Sequence, residues 1–275
     1  MVRAARGWAA AVLLTVLAGC TAAADAPRTS TGTPAARDAP VVETPSPTAV
    51  PVPVRAVVVL DPGHNGGNAA APEEIARPVP AGGFTKPCNT TGTATSDGYA
   101  EHAFTFDVAQ RTADLLRATG VTVVLTRTDD SGVGPCVNVR AGTANDAAAD
   151  VAVSIHADGA APDVRGFHVV SPGLAPDGGN AAILDASAEA ASDLLAAFAA
   201  ATGEPPATYP GALVQPGVTQ RNDLAGLNLA RVPAVLIECA NMRNPLDAAA
   251  VTDPGWRQRA AQGIADGVQA YLTSR

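Results

Sequence analysis

The sequence predicts an α/β domain, a twisted and mostly parallel sheet with helices on both faces. Three observations lead there. Short, wholly apolar and β-branched runs recur, the pattern of strands covered on both sides. Stretches with a helical apolar period separate those runs. Each run also ends on turn residues or on an isolated polar side chain.

The first run is Ala56-Val57-Val58-Val59-Leu60, closed by Asp61-Pro62-Gly63-His64-Asn65-Gly66. From Glu101 a helix is expected, with Phe104, Val108, Leu115 and Leu116 on one face and Gly120 as its stop. Residues 121–125 read as a second strand and 137–148 as a helix. Val151-Ala152-Val153-Ser154-Ile155 is a third strand, ending in His156, and 166–170 a fourth. Over 181–201 the positions of Ile183, Leu184, Ala188, Ala191, Leu194, Leu195 and Phe198 keep the helical period, a stripe suited to core packing. Ala234-Val235-Leu236-Ile237 is a further buried strand, ending in Glu238. The last helix runs from 245 or 247 to 272, with Pro254 as a candidate break.

The chain of 275 residues carries a net charge of −8 and no basic stripe interleaved with aromatics, which argues against a nucleic-acid partner. Residues 1–19 read as an export signal: Arg3 and Arg6, then an apolar run from Trp8 to Leu17, then small residues. The run is too short to span a bilayer as a helix, which takes about 20 residues. Its end, Leu17-Ala18-Gly19-Cys20, resembles the lipobox of bacterial lipoproteins. That resemblance implies a lipid on Cys20 and a membrane hold through it; an ordinary secretory signal is the alternative. Losing Arg3 and Arg6 with the signal moves the charge from −8 to −10, so anionic headgroups would not retain the protein. Residues 20–55 then form the lipidated cysteine and a tether; positions 21–55 hold seven prolines, eight Ser/Thr and no aromatic residue, a disordered composition. The folded domain is 56–275.

In open α/β sheets, ligands gather beyond the carboxyl ends of the strands. His64, His156 and Glu238 stand at three such ends, where burial without a partner is costly. A metal ion would reconcile them. Catalytic zinc takes three protein ligands and keeps one position open. His64 and His156 offer two nitrogens, and Glu101-His102 offers a carboxylate or a third imidazole.

The blocks Asp61-Pro62-Gly63-His64-Asn65-Gly66, Gly98-Tyr99-Ala100-Glu101, Ser154-Ile155-His156-Ala157-Asp158 and Val235-Leu236-Ile237-Glu238-Cys239-Ala240-Asn241 resemble the zinc-dependent N-acetylmuramoyl-L-alanine amidases of the type-3 family. So does the 140–145 stretch, and the likeness runs from about Val57 to Tyr271. The resemblance implies a sheet of about six strands, His64, Glu101 and His156 as zinc ligands, and Glu238 as the catalytic carboxylate. The implied substrate is peptidoglycan or a muropeptide, cut at the amide between N-acetylmuramic acid and L-alanine. The implied place is the outer face of the cytoplasmic membrane or the cell wall. A zinc peptidase acting within the stem peptide, or a non-catalytic zinc- or muropeptide-binding lipoprotein, is the alternative. A purely structural Glu238 would need a cation beside it, for which Arg140 and Arg221 are available. His102 and His168 are read as bystanders.

Export implies an oxidising compartment, so Cys88 and Cys136, both in Gly/Pro/Thr-rich stretches, are expected to pair. Cys239 follows Glu238 on the strand and is expected to point the other way, into packing. The long 68–98 segment connects two candidate ligands and is expected to wall or cover the site.

Overall fold

The computed structural model describes residues 56–275 apart from Ala212; the expected signal over 1–19, Cys20 and the whole of the expected tether fall outside the described residues. The first apolar run forms β1 (Val57–Pro62), followed by helix α1 (Pro72–Ala76) and the short strands β2 (Pro78–Pro80) and β3 (Thr85–Pro87). Next come α2 (Glu101–Ala118), β4 (Thr122–Leu125), α3 (Val137–Asp146), β5 (Val151–Asp158) and β6 (His168–Pro172). Helix α4 (Leu184–Thr202) leads to β7 (Leu213–Gln215), β8 (Val218–Arg221) and α5 (Ala225–Asn228). The chain closes with β9 (Ala234–Asn241), α6 (Pro245–Thr252) and α7 (Pro254–Thr273).

The main sheet has seven strands in the order β4-β1-β5-β9-β6-β8-β7. The pairs from β4 through β9 are parallel, β6 runs antiparallel to β9, β8 is parallel to β6, and β7 is antiparallel to β8. The α/β class is as expected, with seven strands in place of about six. The strands missing from the sequence reading are β7 and β8, a hairpin of three and four residues. Such edge strands carry no apolar run long enough to register.

Each continuous apolar run divides by parity into two faces. Val58, Leu60, Val153, Ile155, Val235 and Ile237 enter the larger core with Phe104 of α2, Phe198 of α4 and Trp256 of α7. Cys239 lies in that core, fully buried, away from Glu238. Val59, Ala152, Val170 and Ala234 face the other way, against Ala144 of α3 and Leu227 of α5. Continuing that second parity along the strands leads to Asp61, Ser154, His156 and Glu238. The sheet therefore sends these four polar residues to the lighter α3/α5 side.

The periodic 181–201 stretch becomes α4, which buries Ala190, Ala191, Leu194 and Phe198 in the larger core, opposite the polar strand ends. The break near Pro254 is present: Asn244 caps α6, and Asp253 accepts the Gly255 and Trp256 N–H groups to start α7. Segment 68–98 is more structured than its composition suggests, holding α1 and the antiparallel β2–β3 pair. Its Cys88 is joined to Cys136 by a disulfide across 48 positions.

Helices α4 and α7 approach closely: a Cβ placed on Gly267 would lie 2.7 Å from the Leu194 Cα. Gly267→Val should therefore lower stability by about 1–3 kcal/mol through overpacking. The urea midpoint checks this, and a variant as stable as the parent would mean that the helix pair is loosely packed.

Candidate metal centre

The centre begins with the turn after β1. His64 has φ of 60°, a left-handed conformation uncommon outside glycine. Two guanidinium groups hold the backbone there. Arg140, from α3, donates to the carbonyls of Pro62 (2.7 Å) and His64 (2.7 Å) and to Asp61 Oδ1 (2.7 Å). Arg127, after β4, donates to the carbonyls of Pro62 (3.0 Å) and Gly63 (3.3 Å). Burial pulls the Arg127 pKa down to about 10, against the opposing pull of Asp130. Burial works to raise the Asp61 carboxyl, but Arg140 and the hydroxyls of Thr126 and Ser154 prevail and hold it at about 2.

Glu101 is the first residue of α2, and its Oε1 lies 3.1 Å from His64 Nε2 and 3.0 Å from His156 Nδ1. The two imidazoles meet edge to face with centroids 4.9 Å apart. Glu101 also accepts the Thr93 amide on Oε2 (2.8 Å) and the Ala157 amide on Oε1 (3.2 Å). Burial disfavours its charge, yet the hydrogen bonds from His156 and His64 win and keep the carboxyl well below the usual range. For His64, burial lowers the pKa but the Glu101 contact outweighs it, for a net rise. The His64 Nδ1–H donates to the Thr90 carbonyl (3.0 Å), which leaves Nε2 free as a ligand atom.

One ligand atom each from His64, Glu101 and His156 lies within 4.8 Å of the others. Two imidazole nitrogens and a carboxylate oxygen are the donor set of catalytic zinc sites. Glu238 stands opposite His156 in the β5–β9 register, and its Oε2 is buried with no hydrogen-bond partner. Burial first, then the negative charges of Glu101 and Asp158, push its pKa well up, with Arg221 opposing. An orphaned, charge-crowded carboxyl beside such a donor set fits a bound cation. A cavity of about 460 Å³ opens over these residues, its floor formed by Val59, Ala152, Val170 and Leu236.

The family's sequence profile, described as N-acetylmuramoyl-L-alanine amidase, matches residues 58–270. The chain belongs to this type-3 amidase family. It is 42% identical over 222 residues to the N-acetylmuramoyl-L-alanine amidase Rv3717 of Mycobacterium tuberculosis, covering 80% of this chain and 87% of that protein. The crystal structure of Ami1 from Mycobacterium smegmatis superposes with a TM-score of 0.75 at 45% identity, over 82% of this chain and 100% of that one. Ami1 from Mycobacterium abscessus gives 0.73 at 42% identity, over 79% and 98%.

The structure brings together His64, Glu101 and His156 with Glu238 alongside. His102 turns away to Asp130 (2.8 Å), and His168 is buried with Nε2 3.3 Å from Asp158. Neither cation available to a structural Glu238 bonds to it: Arg140 pairs with Asp61, and Arg221 with Asp223 (2.7 Å). Sequence reasoning missed Thr90, which meets His64 through its carbonyl and its hydroxyl, Thr93, which acts through main-chain atoms, and the grip of Arg127 and Arg140 on the turn.

Removing the Asp61 charge leaves Arg140 buried without its counter-ion, so Asp61→Asn should cost about 2–3 kcal/mol at neutral pH. The carboxyl is depressed in the fold from 3.8 to about 2, so its contribution is complete above pH 3.8 and fades as pH falls through about 2. The gap between parent and variant in urea unfolding should accordingly narrow towards pH 2. A gap independent of pH would show that the charge is not what stabilises the turn.

Proposed function

We propose that this protein is a zinc-dependent N-acetylmuramoyl-L-alanine amidase. It hydrolyses the amide between the lactyl group of N-acetylmuramic acid and the L-alanine of the peptidoglycan stem peptide, in cell-wall turnover or cell separation. The observation that carries this reading is the joined His64–Glu101–His156 cluster beside a half-buried Glu238 whose buried Oε2 has no partner. Family membership supports the same chemistry.

His64, Glu101 and His156 would hold the metal. Zinc supplies Lewis acidity toward the scissile carbonyl and lowers the pKa of water. Glu238 takes the proton from the attacking water and delivers it to the leaving nitrogen of alanine, the general base and then the general acid. The unpartnered Oε2 is free for that exchange, since no cation among the described residues neutralises it by a hydrogen bond. The hydrogen bonds of His64 to the Thr90 carbonyl and of Glu101 to the Thr93 and Ala157 amides keep both side chains fixed while the proton moves. Lys86, Asn89 and Thr91 line the cavity, so segment 68–98 serves as a wall of the substrate groove. In this reading residues 1–19 direct export, and a lipid on Cys20 with the tether up to residue 55 holds the enzyme at the outer face of the cytoplasmic membrane.

Incubation of the purified protein with intact muropeptides, with and without a chelator, tests the proposal. Mass spectrometry should identify free stem peptide with an N-terminal alanine, lost on chelation. Glu238→Gln should retain zinc but lose about 10²- to 10⁴-fold in kcat, whereas His64→Ala should lose zinc. Cleavage between amino acids of the stem would establish a peptidase instead. Zinc-loaded protein that binds muropeptide without any product would establish a binding protein.

A further inference from the structure

Residues 89–93 belong to no helix or strand, yet they touch two of the three candidate ligands. The Thr90 carbonyl accepts from His64 Nδ1 at 3.0 Å. Three positions on, the Thr93 amide donates to Glu101 Oε2 at 2.8 Å, while the Thr93 carbonyl accepts the Glu101 amide at 2.9 Å. Gly92 lies between them with φ of 79°, and a Cβ there would meet Glu101 Oε2 and His64 Cδ2, each at 2.9 Å. The segment lays mainly backbone against both side chains, with the Thr90 hydroxyl also 3.2 Å from His64 Nδ1.

The segment is attached on two sides: the Cys88 and Asn89 amides donate to the carbonyls of Arg77 (2.7 Å) and Ile75 (3.0 Å), and further attachments lie on the 134–137 stretch that starts α3. Cys88 is disulfide-bonded to Cys136, and the Cys88 carbonyl accepts the Val137 amide at 2.8 Å. Asn89 Nδ2 donates to the Pro135 carbonyl at 3.1 Å. Asn68 bridges the same two stretches, donating to the Thr90 carbonyl (2.8 Å) and accepting from the Gly134 amide (3.0 Å). One turn into α3, Arg140 grips the His64 carbonyl. The disulfide thus ties together the two arms that hold His64, one on its ring and one on its backbone. Cys88 and Cys136 sit with Val79 and Val137 in a small cluster apart from both main cores. A bond there constrains the site more than the body of the fold.

We propose that the Cys88–Cys136 disulfide is a positioning element of the metal centre. It pins segment 88–93 to the start of α3, keeps the Thr90 carbonyl on His64 and the Thr93 amide on Glu101, and thereby sets the zinc affinity. The proposal rests on the metal-centre reading above. Outer-shell partners of this kind are worth about 10- to 100-fold in metal affinity. A disulfide also restrains the unfolded chain, so a loss of stability alone would not distinguish this role from that of a plain staple.

The test measures zinc affinity of the full chain by competition with a fluorescent chelator, in the cold and well below unfolding. The double variants Cys88→Ser with Cys136→Ser, and the space-filling Cys88→Ala with Cys136→Val, are compared with the parent after circular dichroism verifies their fold. Both should bind zinc about 10- to 100-fold more weakly. Gly92→Ala, which keeps the disulfide but pushes the segment off its two ligands, should show a loss of the same order. Folded cysteine variants with unchanged zinc affinity and only a lower Tm would overturn the proposal. So would variants that stay unfolded in the cold with or without zinc, since the disulfide would then be a requirement of the whole fold. A parent protein that binds no zinc would instead remove the metal-centre reading itself.

Discussion

The carbonyls of Pro62, Gly63 and His64 converge on the guanidinium groups of Arg127 and Arg140, and the candidate centre depends on that convergence. A left-handed histidine persists only where its surroundings over-determine it. Here two rigid five-donor forks satisfy one short turn from different elements, and Asp61 neutralises part of the charge. Once the His64 backbone is fixed, its ring has Glu101 on one side and Thr90 on the other. Glu101 in turn is placed by being the opening residue of α2, with main-chain amides arriving from Thr93 and Ala157.

Much of this was legible from residue order. Apolar runs that stop on a histidine or a glutamate located three of the four central side chains, because parallel strands deliver their carboxyl ends to one edge. Pro254 marked the break between α6 and α7, since proline tolerates only the first turn of a helix. The hairpin β7–β8 was not legible. It pairs at the sheet edge through three- and four-residue strands whose partners are set by long-range docking. Thr90 and Thr93 were equally hidden, because a main-chain carbonyl or amide is the same whatever the side chain. Arg140 stood in the sequence as a candidate partner for Glu238; which acid it meets depends on where α3 starts relative to β1.

The two faces of the sheet divide the labour. Aromatic rings of Phe104, Phe198 and Trp256 fill the side away from the centre, where α2, α4 and α7 pack. The other side is lined mostly by alanines and valines, with Leu224, Leu227 and Leu236, and leaves the groove open. Small residues on that face are what allow a substrate-sized space directly under the strand ends, while the rigidity needed to aim them comes from the heavier side.

The orphaned carboxyl of Glu238 has a consequence for how this chain can change. A buried polar group without a partner is destabilising, and so is a histidine held at positive φ. Both lie at the candidate metal centre. Selection for thermal robustness alone would therefore erode this region first, replacing Glu238 with an apolar residue and the turn with glycine. In the reading proposed above, keeping Glu238 and the left-handed His64 trades stability for chemistry.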